Sequence, residues 1–187
     1  MKTDRSSYFL IIDLEATCSD DGIIPRHQME IIEIGAVMLN RATWEIDSEF
    51  QQFIQPVINP QLTAFCTELT SIYQKDVELA PKFPEAMSCL QEWIKSFPKY
   101  VFCSWGNYDK TQFIQDCKHH NIAYPFGSEH RNIKKEFSEY LGVSKGFGMA
   151  QALQQLGLEL KGTHHRGIDD ARNIAAIFRH MNTKNPS

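Results

Sequence analysis

The chain has 187 residues, 42% hydrophobic and 22% charged, a composition that fits one ordinary globular domain and excludes a low-complexity chain. Its net charge of −4, from 19 basic and 23 acidic residues, argues against a protein that coats long phosphate backbones. No stretch approaches the roughly 20 apolar residues that a membrane span requires, and the five cysteines lie scattered without a Cys-x-x-Cys pair, so neither a thiolate zinc site nor a disulfide framework is suggested.

One domain over residues 1–187 is expected, with its core at about 8–181 between short flexible termini. Because Met1 to Arg5 lead into no apolar signal region, the expected location is the cytoplasm, with no membrane association and no obligate protein partner. Charge is unevenly spread. From residue 100 onward 11 Lys and Arg face 8 acids, so that part is +3 and the rest −7.

In chain order, residues 8 to 13 read as a strand buried on both faces, because Phe9-Leu10-Ile11-Ile12 shows no polar alternation. The loop "SDDGIIPRHQ" follows. Residues 30–40 and 45–56 form an expected antiparallel hairpin, and short helical turns lead on to Pro81. Residues 84–97 have apolar positions at helical spacing behind Pro84. A buried strand is expected at 100–105, a helix at 108–119, a brief strand and helix in "HRNIKKEFSEYLG" closed by Gly142, and helices in "GMAQALQQLGL" and "DDARNIAAIFRHM". The order predicts an α/β fold in which an antiparallel hairpin extends a parallel sheet.

Three segments carry chemistry. Asp13 and Glu15 are two apart in a strand, so they share one face at the edge where open α/β sheets place ligands. Two carboxylates about 4 Å apart repel by roughly 1 kcal/mol in water and about 4 at an effective dielectric near 20. A divalent cation would offset that cost; a solvated turn is the alternative. In "CSWGNYDK", Asp109 opens a helix, as an ordinary cap or as an acid delivered to the same sheet edge. In "THHRGIDDARN", His165 lies on a loop five positions before Asp170, where an imidazole can serve as a general base.

"DLEAT", "WGNYD" and "HRGIDD" resemble, in order and spacing, the three motifs of the DEDDh 3′-to-5′ exonucleases. "DLEATC", "EIIEIGAV", "LTAFCTELTSIYQ" and "GIDDARNIA" are similar to the exoribonuclease group that includes the histone-mRNA 3′-end and RNA-interference-limiting nucleases and short bacterial relatives. The resemblance implies a ribonuclease H-like fold with a mixed five-stranded sheet flanked by helices. It makes Asp13, Glu15, Asp109 and Asp170 the ligands of two Mg²⁺ ions, with Mn²⁺ able to substitute, and His165 the base. Of the two adjacent histidines, His165 rather than His164 matches the motif. Arg166 stands where the tyrosine-type branch of the superfamily has its tyrosine.

The resemblance further implies a nucleic-acid substrate, single-stranded RNA 3′ ends, cleaved to nucleoside 5′-monophosphates. Ala16, Thr17, Phe65, Cys66, Leu69 and Trp105 are the expected contacts of the 3′ end, with Arg166, Lys161 and Lys145 available to phosphates. Core packing is the alternative for Phe65 and Trp105. A DNA exonuclease and a non-catalytic nucleic-acid-binding module with this fold are the rival readings.

Overall fold

Phe9 to Ile12 have no charge to keep in water, and the strand they form is the middle one of the sheet. A computed structural model describes residues 7–97 and 99–183; the expected flexible termini lie outside that range except for Ser7, Asn182 and Thr183, the last two being the end of the final helix rather than a flexible tail. Five strands run in the order β3-β2-β1-β4-β5. They are β1 (Tyr8–Ala16), β2 (Ile31–Asn40), β3 (Ile46–Phe53), β4 (Tyr100–Ser104) and β5 (His130–Asn132). β1 pairs antiparallel with β2 and parallel with β4; β2 and β3 form the antiparallel hairpin, and β5 runs parallel to β4. The mixed five-stranded sheet is thus as expected.

Seven α-helices accompany it among the described residues. α1 (Ala64–Thr70) and α2 (Gln74–Val77) fill the segment before Pro81, followed by α3 (Phe83–Ile94), α4 (Tyr108–His119), α5 (Ile133–Tyr140), α6 (Met149–Gln155) and α7 (Gly167–Thr183). Alternation along β1 builds two cores. Leu10 and Ile12 pack with residues of α3 and α4, whereas Phe9 and Ile11 pack with α5, α6 and α7. Each fully buried Leu, Ile or Phe contributes roughly 1.5–3 kcal/mol relative to exposure, which makes β1 the best-anchored strand.

Two boundaries differ from expectation in ways that matter. β1 continues past residue 13 because β2 goes on pairing with it, Asp13 opposite Gly35 and Glu15 opposite Glu33, before a register shift at Ala16. Both acids therefore sit inside a paired strand rather than beyond its end. The last helix begins at Gly167, two residues earlier than "DDARN" suggests, since the N–H of Asp170 already reaches the carbonyl of Arg166 at 2.9 Å. Smaller differences are the ends of β3 at Phe53 and α3 at Ile94; after β3 the N–H of Gln55 turns to the carbonyl of Pro81.

The start of α7 lies directly on the sheet. A Cβ on Gly35 would come within 1.9 Å of the Gly167 carbonyl carbon, and one on Gly167 within 2.9 Å of the Asp13 carbonyl oxygen. Neither obstacle is a side chain that can swing away. Gly35→Ala is therefore expected to destabilise the protein by about 3 kcal/mol or more, beyond ordinary overpacking, as measured by urea unfolding; wild-type stability would contradict this contact.

Candidate active site

Positions 9, 11, 13 and 15 share one face of β1, so the face that is apolar at Phe9 and Ile11 becomes acidic at Asp13 and Glu15. Carboxylate oxygens of Asp13, Glu15 and Asp170 lie within 4.8 Å of one another. Glu15 and Asp170 are buried, at 8% and 4% exposure. Asp109, the second residue of α4, is buried too, and its Oδ1 accepts a hydrogen bond from the N–H of Leu14 at 3.1 Å. That bond ties the head of α4 to β1 between the other two acids. All four carboxylates line one cavity of about 420 Å³.

Burial and mutual repulsion hold these acids far from their ordinary protonation. Asp13 is raised well above the carboxylate range, first by burial and then by Asp109, Glu15 and Asp170. Burial, then Asp170 and Glu33, pushes Glu15 up to about 9. Burial takes Asp109 to about 7 against the hydrogen bonds it accepts. Asp170 is also raised by burial, with His164 and the N–H of His165 opposing. Hard, oxygen-only donors at this spacing, each short of positive charge, fit a divalent cation well.

The two histidines divide their roles. His164 Nδ1 lies 3.0 Å from Asp170 Oδ2, and the same oxygen accepts the backbone N–H of His165 at 3.1 Å. The His165 ring stacks on His164 with centroids 3.9 Å apart and lines the cavity. Burial, followed by the neighbouring His164, lowers its pKa, which favours the neutral ring. Its backbone is left-handed, φ +62°, a region costly to residues other than glycine.

The expected 3′-end contacts are only partly on the cavity wall. Ala16, Leu69 and Trp105 line it, and the Trp105 indole N–H is anchored on the Phe147 carbonyl at 3.0 Å. Thr17 is fully buried, its hydroxyl accepting the N–H of Glu30. Cys66 is also fully buried and packs with Ile32, Ile72 and Val77. Phe65 is half-buried in α1 and is not part of the wall. Arg166 is bound to Glu33. Lys161 lines a different cavity, beside Arg172 and Arg179, and the Lys145 ammonium lies 5.9 Å from the Phe147 ring centroid.

Cys18, Met29, Tyr108, Gly148 and Met149 also line the site and were missed by sequence reading; His164, weighed there and set aside, lines it as well. Tyr108 and Cys18 could have been found, since they adjoin Asp109 and the first acidic motif. Met29, Gly148 and Met149 carry no local signal, because a loop and a helix start distant in sequence bring them in.

An acidic strand pair, an acid at the head of a helix and a histidine loop before a second helix, all on one sheet, define the DEDDh nuclease architecture. The exonuclease family model (RNase T) matches residues 10–178, and the chain belongs to that family. It is 36% identical over 182 residues to human 3′-5′ exoribonuclease 1, covering 93% of this chain and 52% of that one. The chain spans about half the length of the curated relatives it matches. Among solved structures, the nuclease domain of 3′hExo, a DEDDh family member bound to rAMP, superposes with a TM-score of 0.88 at 35% identity, over 96% of this chain and 93% of that one. A 3′-exonuclease in 3′-end specific recognition of the histone mRNA stem-loop gives 0.87 at 34%, over 95% and 64%. The family depends on divalent metal.

Raised carboxylate pKa values mean that the folded, metal-free protein holds more protons than the unfolded chain between the ordinary carboxylate range and about 7 for Asp109 and about 9 for Glu15. Stability contributed by these groups is therefore greatest below that interval and is lost as pH rises through it. In a chelator, the melting temperature is expected to fall between about pH 5 and pH 9, and added divalent metal to raise it more at about pH 8 than at pH 5.5. A metal effect independent of pH would count against this charge balance.

Proposed function

We propose that this protein is a metal-dependent 3′-to-5′ exonuclease acting on single-stranded RNA ends and releasing nucleoside 5′-monophosphates. The observation that carries the reading is the meeting of Asp13, Glu15, Asp109, Asp170 and the His165 ring at one cavity. Relatives described as exoribonucleases, and a nuclease domain bound to rAMP, favour RNA over DNA. All five cysteines are free, which fits the reducing cytoplasm.

Asp13, Glu15 and Asp170 would hold Mg²⁺, with Asp109 contributing from α4; carboxylate-only donors also suit Mn²⁺. Divalent ions held by these carboxylates would supply positive charge to offset the phosphodiester and would make a water more acidic. The rest is the work of the chain. A neutral imidazole has one unprotonated ring nitrogen, so His165 can take the proton of the attacking water. Asp170, accepting the His165 N–H, fixes where that ring stands relative to the acids. Trp105 and Leu69 offer apolar surface to the terminal nucleoside, since single-stranded ends are held largely by stacking. A net acidic protein can do this because a 3′ end requires contact with few phosphates.

The test is digestion, with Mg²⁺ or Mn²⁺, of a single-stranded RNA labelled at its 3′-terminal nucleotide. Mononucleotide release is expected, with Asp13→Ala and His165→Ala each slower by at least ~10²-fold. Ordinary activity in either would overturn the assignment, and a loss in His164→Ala as deep as in His165→Ala would move the base to His164. Matched DNA and single 2′-deoxy substrates decide the sugar, because the 2′-hydroxyl distinguishes them.

A further inference from the structure

Glu33 stands on β2 opposite Glu15 and is completely buried. Its carboxylate accepts from Arg166 Nε at 3.1 Å and Nη2 at 3.3 Å, from the backbone N–H of Gly167 at 3.0 Å and from Gln51 Nε2 at 3.0 Å. A buried carboxylate needs such partners, yet their placement is particular. Three of the four donors belong to the two residues that follow His165.

The histidine is thereby gripped from both sides. Ahead of it in the chain, Thr163 donates its N–H to Asp169 Oδ2 at 2.9 Å, and its carbonyl accepts the N–H of Arg166 at 3.2 Å. His165 itself is left-handed, a conformation that persists where the surroundings over-determine it. Behind it, Glu33 pins Arg166 and Gly167 to the sheet, and the Arg166 guanidinium also lies 5.1 Å from the Phe53 ring centroid. Glu33 adds repulsion to Asp13 and Glu15.

We infer that Glu33 and Arg166 are positioning residues for His165: together they hold the turn between the histidine and α7 so that the imidazole faces the carboxylate cavity. Arg166 accordingly serves the enzyme from behind the base and does not grip a substrate phosphate. This rests on the exonuclease reading and on His165 as its base.

Steady-state kinetics on single-stranded RNA test it, with circular dichroism melts showing that each variant is folded. Arg166→Ala and Glu33→Gln are each expected to lower kcat by about 10- to 100-fold, as misplacement of a reacting group does, with KM within about twofold. The double variant should be about as slow as the slower single one, because the two act as a unit. Guanidinium ion at low concentration should restore kcat to Arg166→Ala and leave His165→Ala unrescued. If Glu33→Gln does not fold, Arg166→Ala with its rescue still decides. Wild-type kcat in Arg166→Ala would overturn the inference. So would a raised KM together with a salt slope of binding reduced by about one, the signature of a lost phosphate contact. Turnover by the wild type separates the two readings, since an inactive wild type would overturn both.

Discussion

The backbone-to-backbone contact of Gly35 with Gly167 is the constraint on which the site depends. Asp13 and Glu15 belong to a strand, whereas Asp170 and His165 belong to a helix and the loop before it, and helices ordinarily pack on sheets through side chains. With glycine opposite Asp13 and glycine as the first residue of α7, the helix start reaches the sheet without that spacer. Only then do the oxygens of Asp13, Glu15 and Asp170 come within 4.8 Å of one another.

Holding three carboxylates so close in a buried place is unfavourable, and the fold supplies the rigidity that keeps them there. β1 has hydrophobic cores on both faces. The N–H of Leu14 fixes Asp109, and the N–H of His165 fixes Asp170. Glu33 would be a further destabilising charge were it not met by four donors. The result is a concentrated negative site in a molecule whose overall charge is modest, and the response of that site to metal follows from its electrostatics alone.

Much of this was legible in the sequence. The apolar run at Phe9 to Ile12, the hairpin, and the positions of Asp13, Glu15, Asp109 and Asp170 could all be read from local pattern and motif spacing. The 3′-end contacts were less legible, for physical reasons. Thr17 and Cys66 lie next to motif residues in the chain, but the register shift after Glu15, with the Thr17 N–H and hydroxyl both bonded to Glu30, and the packing of α1 turn them inward. Arg166 looked available to phosphate because its partner, Glu33, is 133 residues away and belongs to a stretch that reads as an apolar strand. His164 was set aside on spacing, although its ring is the one hydrogen-bonded to Asp170.

α7 runs for 17 residues, roughly 25 Å at 1.5 Å per residue, with Asp170 near one end. Toward the other end Phe178 packs edge-on against Phe9 and Trp44. Since its head cannot sink further into the sheet, the helix behaves as a strut with a fixed fulcrum. Phe178 and Asp170 are therefore seated by opposite ends of the same helix, one in the aromatic cluster and one at the sheet. The aromatic cluster at the remote end and the carboxylate cavity thus share one rigid element, and the position of Asp170 depends on packing well outside the cavity it lines.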